Sequence, residues 1–223
     1  MTKDRVELWM PLKNAILTQE YYENANSWYK ENNMLGHGGY DFVTYYDDVV
    51  LLAESGYVYK IVNKDADISQ FRAVFQLVEL EDDYAVEICY GHANSILVGN
   101  SYYKCGSPCI TEGNTGNVFS DGRAVSVEAR EKGSTAGTHL HIQGRLCKKV
   151  KDFVNGFHYL SCQENAGKAF RDSDGYLYRV VDFDNGYNGC IPLIFNKYAK
   201  DSLIMTKIIE ILKIILNLLK GRS

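Results

Sequence analysis

Short apolar runs separated by clusters of Gly, Asn and Asp dominate the chain between residues 40 and 145. The runs are rich in Val, Ile, Tyr and Phe, a composition typical of β-strands bounded by turns. They are VVLLA (49–53), YVYKIV (57–62), FRAVFQLVEL (71–80), YAVEICYGH (84–92) and SILVG (95–99). We therefore predict a mainly β fold with an antiparallel β-sheet as its core.

A period of two runs through residues 71–77. One set of positions is Phe71, Ala73, Phe75 and Leu77, and the alternating set is Arg72, Val74 and Gln76. This alternation predicts a strand with one buried face, although Val74 and Val78 reduce the contrast. Helical patterns are sparse before residue 200. Residues 18–33 are a candidate for one short helix, and their Asn content weakens that prediction.

Residues 202–223, SLIMTKIIEILKIILNLLKGRS, have polar positions every three or four residues. This spacing predicts an amphipathic helix with a narrow polar stripe and a wide apolar face. The charges are too frequent for a membrane-spanning helix, so the apolar face must be buried against the protein, another copy or a membrane interface. We favour protein contact, by self-association or with a larger assembly, over membrane contact.

These patterns divide the chain into four segments. Residues 1–34 form an N-terminal lead-in, residues 35–148 the core, residues 149–199 a small β-rich extension and residues 200–223 the amphipathic helix. Aromatic runs with Asn-Gly and Asp-Gly turn signals predict two small hairpins in the extension. His158 lies among them, and we interpret it as structural.

Composition narrows the classes of function. The net charge is -4 and there is no long basic run, which argues against a nucleic-acid partner. The N-terminus has no apolar run of signal-peptide length, so we expect the protein to be made and kept in the cytoplasm until it is released. Six cysteines without a C-x-x-C pair are expected to be mostly reduced and buried, and Cys105 with Cys109 is only a weak zinc signal.

The histidines carry the candidate chemistry. His139 and His141 stand two apart in THLHIQ, so on a β-strand both imidazoles would face one cleft while the residue between them packs into the core. His92 ends a predicted strand at a Gly-His turn, and His37 precedes Asp41 in HGGYDF. Zinc sites combine His nitrogen and Asp oxygen at a tetrahedral centre with one open position.

Five motifs follow one another in the chain: HGGYD (37–41), GYVYKIV (56–62), YGH (90–92), GSPCITEGNTG (106–116) and THLHIQ (138–143). This order resembles the lysostaphin and LytM type of zinc endopeptidases, which cleave peptide bonds in bacterial cell walls. The resemblance covers roughly residues 35–145. Each motif alone is weak, whereas five in order are specific.

The resemblance implies a metal site and a catalytic pair. His37, Asp41 and His141 would bind a zinc ion (Zn2+), and His92 and His139 would be the two unligated histidines of the active site. His139 is the candidate general base, and His92 would hold the attacking water or the oxyanion. The two glycines of HGGYD would let the backbone turn tightly, and a side chain at either would crowd that turn.

The chain departs from the family pattern at three places. Residues 117–137, NVFSDGRAVSVEAREKGSTAG, replace a short link and contain enough Val for a strand or hairpin. This loop would overhang the cleft, where it would shape substrate choice or occlude the site. Thr138 stands where the family often has proline and Gln143 where it often has an acid, and we expect neither to touch the metal set.

The leading prediction is therefore a zinc endopeptidase that hydrolyses peptidoglycan, in the stem peptide or the cross-bridge. The missing leader and the adhesive helix suit a bacteriophage lysin or tail-associated protein. Two alternatives stay open: a catalytically silent structural or binding component of an assembly, and a peptidase held latent by residues 117–137 or by the C-terminal helix. The extension is either packed on the core, the commoner arrangement, or an aromatic wall-binding module, and the ligand set also accepts other divalent metals.

Overall fold

A computed structural model describes residues 1–2, 4–23, 28–31, 34–151, 170–171, 176–180 and 189–198. Strands and two short helices follow one another in this order: β1 (Glu7–Met10), β2 (Ile16–Gln19), α1 (Trp28–Glu31), β3 (Tyr40–Val43), β4 (Val49–Leu51), β5 (Gly56–Val62), β6 (Ala73–Glu79), β7 (Tyr84–Gly91), β8 (Ser101–Tyr103), β9 (Pro108–Thr111), β10 (Phe119–Ser120), β11 (Arg123–Ala124), α2 (Val127–Glu131), β12 (Leu140–Lys151), β13 (Phe170–Arg171), β14 (Tyr176–Val180), β15 (Cys190–Ile191) and β16 (Ile194–Tyr198).

Ten of these strands form one antiparallel sheet. Its main order is β13-β14-β12-β7-β6-β5-β8, and β3 and β15 also pair with β12, while β2 pairs with β3. The prediction of a mainly β fold with an antiparallel sheet is therefore confirmed. The predicted C-terminal helix and His158 lie outside the described residues, and neither described helix is long and apolar enough to cross a membrane.

The long strand β12 packs one face in the main hydrophobic core and turns its other face toward the functional site. Leu140 and Ile142 are fully buried in the main hydrophobic core, together with Ile88 and Tyr90 of the neighbouring strand β7. Successive side chains of a strand point to opposite faces, so the residues that alternate with Leu140 and Ile142 face away from this core.

Strand β6 is buried on both faces. Ala73, Phe75 and Leu77, on the predicted buried face, lie in a second, smaller apolar cluster. Val74 and Val78 lie in the main core, and Gln76 between them is fully buried and accepts a hydrogen bond of 2.9 Å from the Tyr90 hydroxyl. The prediction of a strand with one buried face was wrong, and the two valines that weakened the alternation were the sign of the second buried face.

The other apolar runs have mixed outcomes. The runs at 49–53, 57–62 and 84–92 correspond to β4, β5 and β7, whereas residues 95–99 form only an isolated bridge between Ile96 and Ile110. Within residues 18–33, the described helix is limited to Trp28–Glu31. Residues 117–137 contain the expected hairpin, β10 with β11, and also the short helix α2.

The segments before and after the predicted core contribute to the same fold. Leu8 and Leu12 of the lead-in and Leu193 near the C-terminus all belong to the main hydrophobic core. Of the two hairpins predicted for residues 149–199, β13 and β14 do pair, whereas β15 and β16 pair with β12 and with β1 instead of with each other. The division into four segments stays a prediction.

The five described cysteines form no disulfide bond, and all except Cys105 are buried. Burial raises the pKa of the Cys105 thiol to about 12, and it raises the pKa of the fully buried Cys109 as well. Both groups are therefore protonated near neutral pH. A protonated thiol is a poor zinc ligand, so this close pair does not offer the thiolates of a zinc site.

A buried ion pair joins β7 and β12 on the side of the second cluster. Glu87 and Arg145 are directly opposed, only 3% and 4% exposed, and linked by a hydrogen bond of 2.6 Å from Arg145 Nε to Glu87 Oε1. A second guanidinium N–H also donates to Glu87, and so does the Tyr59 hydroxyl. Removing one member of such a pair leaves a buried charge without its partner.

We expect Glu87→Gln to lower the free energy of unfolding by about 3–5 kcal/mol, the range for breaking a buried ion pair. The matched control is Glu128→Gln, because Glu128 forms an exposed pair with Lys132 and its loss should have no measurable effect. Chemical denaturation monitored by circular dichroism compares the two variants. Equal stability of both would show that the buried pair does not support the sheet.

Candidate metal centre

The pairing of β3 with β12 places two of the predicted site residues opposite each other. Asp41 is the cross-strand partner of His141, and on its other side His141 is opposed by Gly91 of β7. Directly opposed residues share one face of a sheet, so the carboxylate and the imidazole meet there. Gly91 lets the Phe71 ring pack closely at this position, because a Cβ atom there would lie 2.6 Å from that ring.

His37 precedes β3 and is held by the end of the lead-in. Its backbone N–H donates to the Glu23 carbonyl at 2.8 Å, and its own carbonyl accepts from the Tyr22 N–H at 3.0 Å. Its ring Nδ1 lies 3.3 Å from the Glu20 carbonyl oxygen. The imidazole is 4% exposed and its Nε2 points to Asp41 and His141.

Three potential ligand atoms converge at this point. His37 Nε2 lies 3.0 Å from His141 Nδ1 and 3.3 Å from Asp41 Oδ1, and His141 Nδ1 lies 2.9 Å from the same oxygen. Atoms that bind a zinc ion tetrahedrally at about 2.0–2.1 Å are separated by roughly 3.3 Å. The spacing and the chemistry of the three atoms therefore fit a zinc-type metal ion.

The outer nitrogen of each histidine ligand fixes its tautomer. His37 Nδ1 faces the Glu20 carbonyl, and His141 Nε2 lies 3.0 Å from Gln143 Oε1, so both outer nitrogens donate a proton. In the neutral form of each ring, the lone pair is then on the inner nitrogen, which is directed toward the other ring and toward Asp41. Such outer partners orient metal-binding histidines and increase their basicity.

The local electrostatics favour positive charge at the same point. Burial raises the pKa of Asp41, but the three neighbouring histidines outweigh it and hold the pKa well below its usual range. Burial lowers the pKa of His141, but the hydrogen bond and charge of Asp41 outweigh it and raise the pKa. A carboxylate kept ionised beside inward-facing lone pairs is a suitable partner for a divalent cation.

His92 and His139 lie beside these three residues, with ring centroids 4.3 Å apart. Their Nδ1 atoms lie 2.7 Å from the Thr115 carbonyl and 2.9 Å from the Gly137 carbonyl, so each Nδ1 donates a proton. Each neutral ring therefore carries its lone pair on Nε2. His139 Nε2 lies 3.8 Å from Asp41 Oδ2, the oxygen that does not take part in the triangle.

Both of these histidines are kept neutral. Burial lowers the pKa of His92 strongly, and the charges of His139 and His141 lower it further. Burial also lowers the pKa of His139, although Asp41 opposes this effect. His92 has a φ of 62°, a conformation uncommon for residues other than glycine, and packs edge-on against Phe71. The arrangement supplies two proton acceptors next to the potential metal site.

One prediction about this region was wrong. Gln143 was expected not to touch the metal set, but its carboxamide binds the outer nitrogen of His141. Thr138 does remain apart, since its hydroxyl donates to the Thr135 carbonyl. The sequence analysis also missed the acceptors at Glu20, Thr115 and Gly137, because all three are backbone carbonyls, which every residue has.

The glycines of HGGYD allow neighbouring atoms to pack close to the backbone. Neither has a positive φ. A Cβ atom at Gly39 would lie 2.6 Å from the Ile142 carbonyl oxygen and 2.9 Å from His141 Cε1, whereas one at Gly38 would lie 3.2 Å from the Cys190 sulfur. Crowding was predicted at both positions, and it is severe at Gly39, where the obstacle is backbone.

No protein-family model and no curated protein matches the chain. Among solved structures, it is similar to the catalytic domain of the antimicrobial peptidase lysostaphin from Staphylococcus simulans, at 20% identity over 60% of this chain and 81% of that chain, with a TM-score of 0.40. It is also similar to a mutant catalytic domain of the prophage-encoded M23 protein EnpA from Enterococcus faecalis (15% identity, 61% and 86% coverage, TM-score 0.39). A zinc-containing peptidase from Vibrio cholerae is a further match (18% identity, 61% and 35% coverage, TM-score 0.40). Lysostaphin-type peptidases, the family that the order of motifs resembles, are thus among the structures similar to this chain.

We expect Gly39→Ala to separate β3 from β12 and to lower the free energy of unfolding by about 1–3 kcal/mol, the range for overpacking. Gly99→Ala is the matched control, because a Cβ atom at Gly99 meets nothing within 4 Å. Thermal denaturation of the two variants measures the difference. Equal melting temperatures would contradict the close approach.

We expect Gln143→Leu to weaken zinc binding by about 10- to 100-fold, since the outer partner of His141 is lost. Gln143→Glu, which keeps an acceptor at this position, should bind nearly as tightly as the wild type. Competition titration with a chromophoric chelator measures the affinity, and the exposed Gln70→Leu controls for the change of residue type. An unchanged affinity of Gln143→Leu would rule out this support of His141.

Proposed function

We propose that this protein is a zinc-dependent endopeptidase that hydrolyses peptide bonds in bacterial peptidoglycan. The observation that carries the proposal is the convergence of His37 Nε2, Asp41 Oδ1 and His141 Nδ1 within 3.3 Å, beside two neutral histidines. Hydrolysis of an amide needs activation of the carbonyl, a base for the water and an acid for the leaving amine. Three of the side chains would hold a zinc ion that activates the carbonyl, and the two neutral histidines would serve the proton transfers.

The metal site would consist of His37, Asp41 and His141. A zinc ion held there would lower the pKa of a water molecule and polarise the scissile carbonyl. Three protein ligands leave a fourth position for water or substrate, as in catalytic zinc sites. Two imidazole nitrogens with one carboxylate suit zinc, although ligands of this type also bind other divalent metals.

His139 would act as the general base. Its Nδ1 proton is bound by the Gly137 carbonyl, so Nε2 is free to take the proton of the attacking water. The resulting imidazolium lies close to Asp41 Oδ2, whose negative charge stabilises it. The same proton can then pass from Nε2 to the nitrogen of the leaving amine, which completes the cleavage.

His92 would orient the attacking water. Its Nδ1 proton is directed to the Thr115 carbonyl, so its Nε2 accepts a hydrogen bond and does not donate one while the ring is neutral. An acceptor suits the O–H of the water better than it suits a negative oxyanion. Of the two roles considered for His92, the tautomer therefore favours holding the water.

The wall substrate is supported by the order of the five motifs, which resembles enzymes that cleave cell-wall peptides. We further propose that the protein is a phage lysin or tail-associated protein, made in the host cytoplasm and acting after release or within a virion. Residues 200–223 would then attach the enzyme to itself or to a phage structural protein. The ligand set does not distinguish the stem peptide from the cross-bridge.

A latent peptidase is the second candidate, because the site is shielded. The side chains of His37, Asp41, His139 and His141 are 5%, 14%, 15% and 15% exposed, and His92 is 9% exposed. A latent or silent protein would bind zinc through the same residues without releasing fragments from walls. Activity and zinc content must therefore be measured on the same sample.

Mass spectrometry of soluble fragments from purified cell walls tests the proposal. The wild type should release fragments with new peptide amino groups, and the fragment masses identify the bond. His139→Ala should keep its zinc and lose at least about 100-fold in rate, the usual contribution of a general base. Chelator treatment should abolish release and added zinc should restore it, while Lys132→Ala, at the exposed C-cap of α2, serves as the control.

Three outcomes would contradict parts of this proposal. If several wall types yield no fragments while zinc is bound stoichiometrically, the protein is silent or latent under these conditions. If His139→Ala cleaves as fast as the wild type, the assignment of the base is wrong. If His37→Ala retains full zinc affinity, the metal site lies elsewhere.

A further inference from the structure

Residues 117–137, here called the inserted segment, are folded and attached to the core at few points. A Ser126 cap begins helix α2, and the Val125 N–H donates to the Val118 carbonyl at 2.9 Å. Most side chains of the segment are exposed or half-buried, and only Val118 and Arg130 are buried. A buried arginine in an otherwise exposed segment requires a structural reason, because burying a guanidinium is unfavourable without partners.

The partners of Arg130 are backbone carbonyls. Its guanidinium Nη1 donates to the Asn114 carbonyl and, at 3.2 Å, to the Ile68 carbonyl, and Nε donates to the Ser126 carbonyl at 3.4 Å. Within the described part of the chain, no carboxylate lies within 4.0 Å of this guanidinium. Charged donors strengthen such hydrogen bonds, so Arg130 fastens α2 to the backbone at Asn114.

The side chain of Asn114 donates hydrogen bonds back to the inserted segment. This side chain is 1% exposed, and Nδ2 donates to the Ser134 carbonyl at 3.0 Å and to the Ala136 carbonyl at 3.1 Å. Both acceptors lie in the inserted segment, and both require the N–H side of the carboxamide, which fixes its orientation. The inserted segment and Asn114 are therefore linked by donors from both sides.

Asn114 belongs to residues 113–116, here called the acceptor segment, which orients the two unligated histidines. The Gly113 carbonyl accepts the backbone N–H of His139 at 3.1 Å, and the Thr115 carbonyl accepts His92 Nδ1–H at 2.7 Å. The remaining acceptor is the Gly137 carbonyl, which accepts the proton of His139 Nδ1. Gly137 is the last residue of the inserted segment. None of these contacts involves His37, Asp41 or His141.

We propose that Arg130 is a positioning residue for His92 and His139. By fastening the inserted segment to the acceptor segment, it holds in place the carbonyls that fix the tautomer and the orientation of both imidazoles. An effect of Arg130 on catalysis rests on the proposed function, whereas its effect on the tautomer and orientation of the two imidazoles does not. The inserted segment then supports the two catalytic histidines, in addition to any effect on substrate access.

The test compares full-length, zinc-loaded wild type with Arg130→Met and with Lys132→Met, an exposed control in the same segment. Nitrogen NMR of the histidine rings reports which ring atom carries the proton. For Arg130→Met we expect the His92 and His139 signals to move from a single tautomer to a mixture, with zinc affinity unchanged. On wall peptides, kcat should fall by about 10- to 100-fold with little change in KM, as for misplaced catalytic groups.

Three results would overturn the positioning role: ring signals identical to those of Lys132→Met, a parallel loss of zinc affinity, or an effect confined to KM. If the wild type cleaves no wall peptide but the ring signals still shift in Arg130→Met, the proposed function fails and the positioning role stands. Should Arg130→Met not fold, the same readouts are applied to Arg130→Lys. A lysine keeps the charge, but its ammonium lacks the planar fork that reaches several carbonyls, so a smaller shift in the same direction is expected.

Discussion

The mutual approach of three atoms that each carry a lone pair is the constraint on which the site depends. His37 Nε2, Asp41 Oδ1 and His141 Nδ1 repel one another unless a proton or a metal ion lies between them, so the surroundings must hold them together. The register of β3 against β12 sets two of them side by side, and Gly39 lets the two backbones approach closely. Hydrogen bonds at the outer nitrogens then prevent the imidazoles from rotating away.

The two faces of β12 divide structural and chemical tasks. Leu140 and Ile142 fix the strand in the main core, while the alternating positions form a polar row of His141, Gln143 and Arg145 on the other face. Gln143 accepts at the outer nitrogen of His141, and Arg145 forms the buried pair with Glu87. The same strand pairing with β7 therefore positions both the metal site and the buried ion pair.

Sequence reasoning recovered what depends on side-chain pattern and spacing. Alternation of apolar runs predicted the antiparallel sheet, and the spacing of two placed His139 and His141 on one face. It missed the contact of Gln143 and the carbonyl acceptors of the other histidines, because peptide groups are identical along the chain and their direction depends on tertiary structure. The second buried face of β6 was also missed, although Val74 and Val78, which lie in the main core, were its sign in the sequence.

The site is assembled from parts that are distant along the chain. His37 and His141 are separated by 104 positions, and the support of His37 comes from Glu20 in the lead-in. Contacts of such long range require closure of the loops between them, which costs chain entropy before the contacts can form. A growing chain therefore lacks its complete ligand set until β12 has been synthesised and has paired with β3.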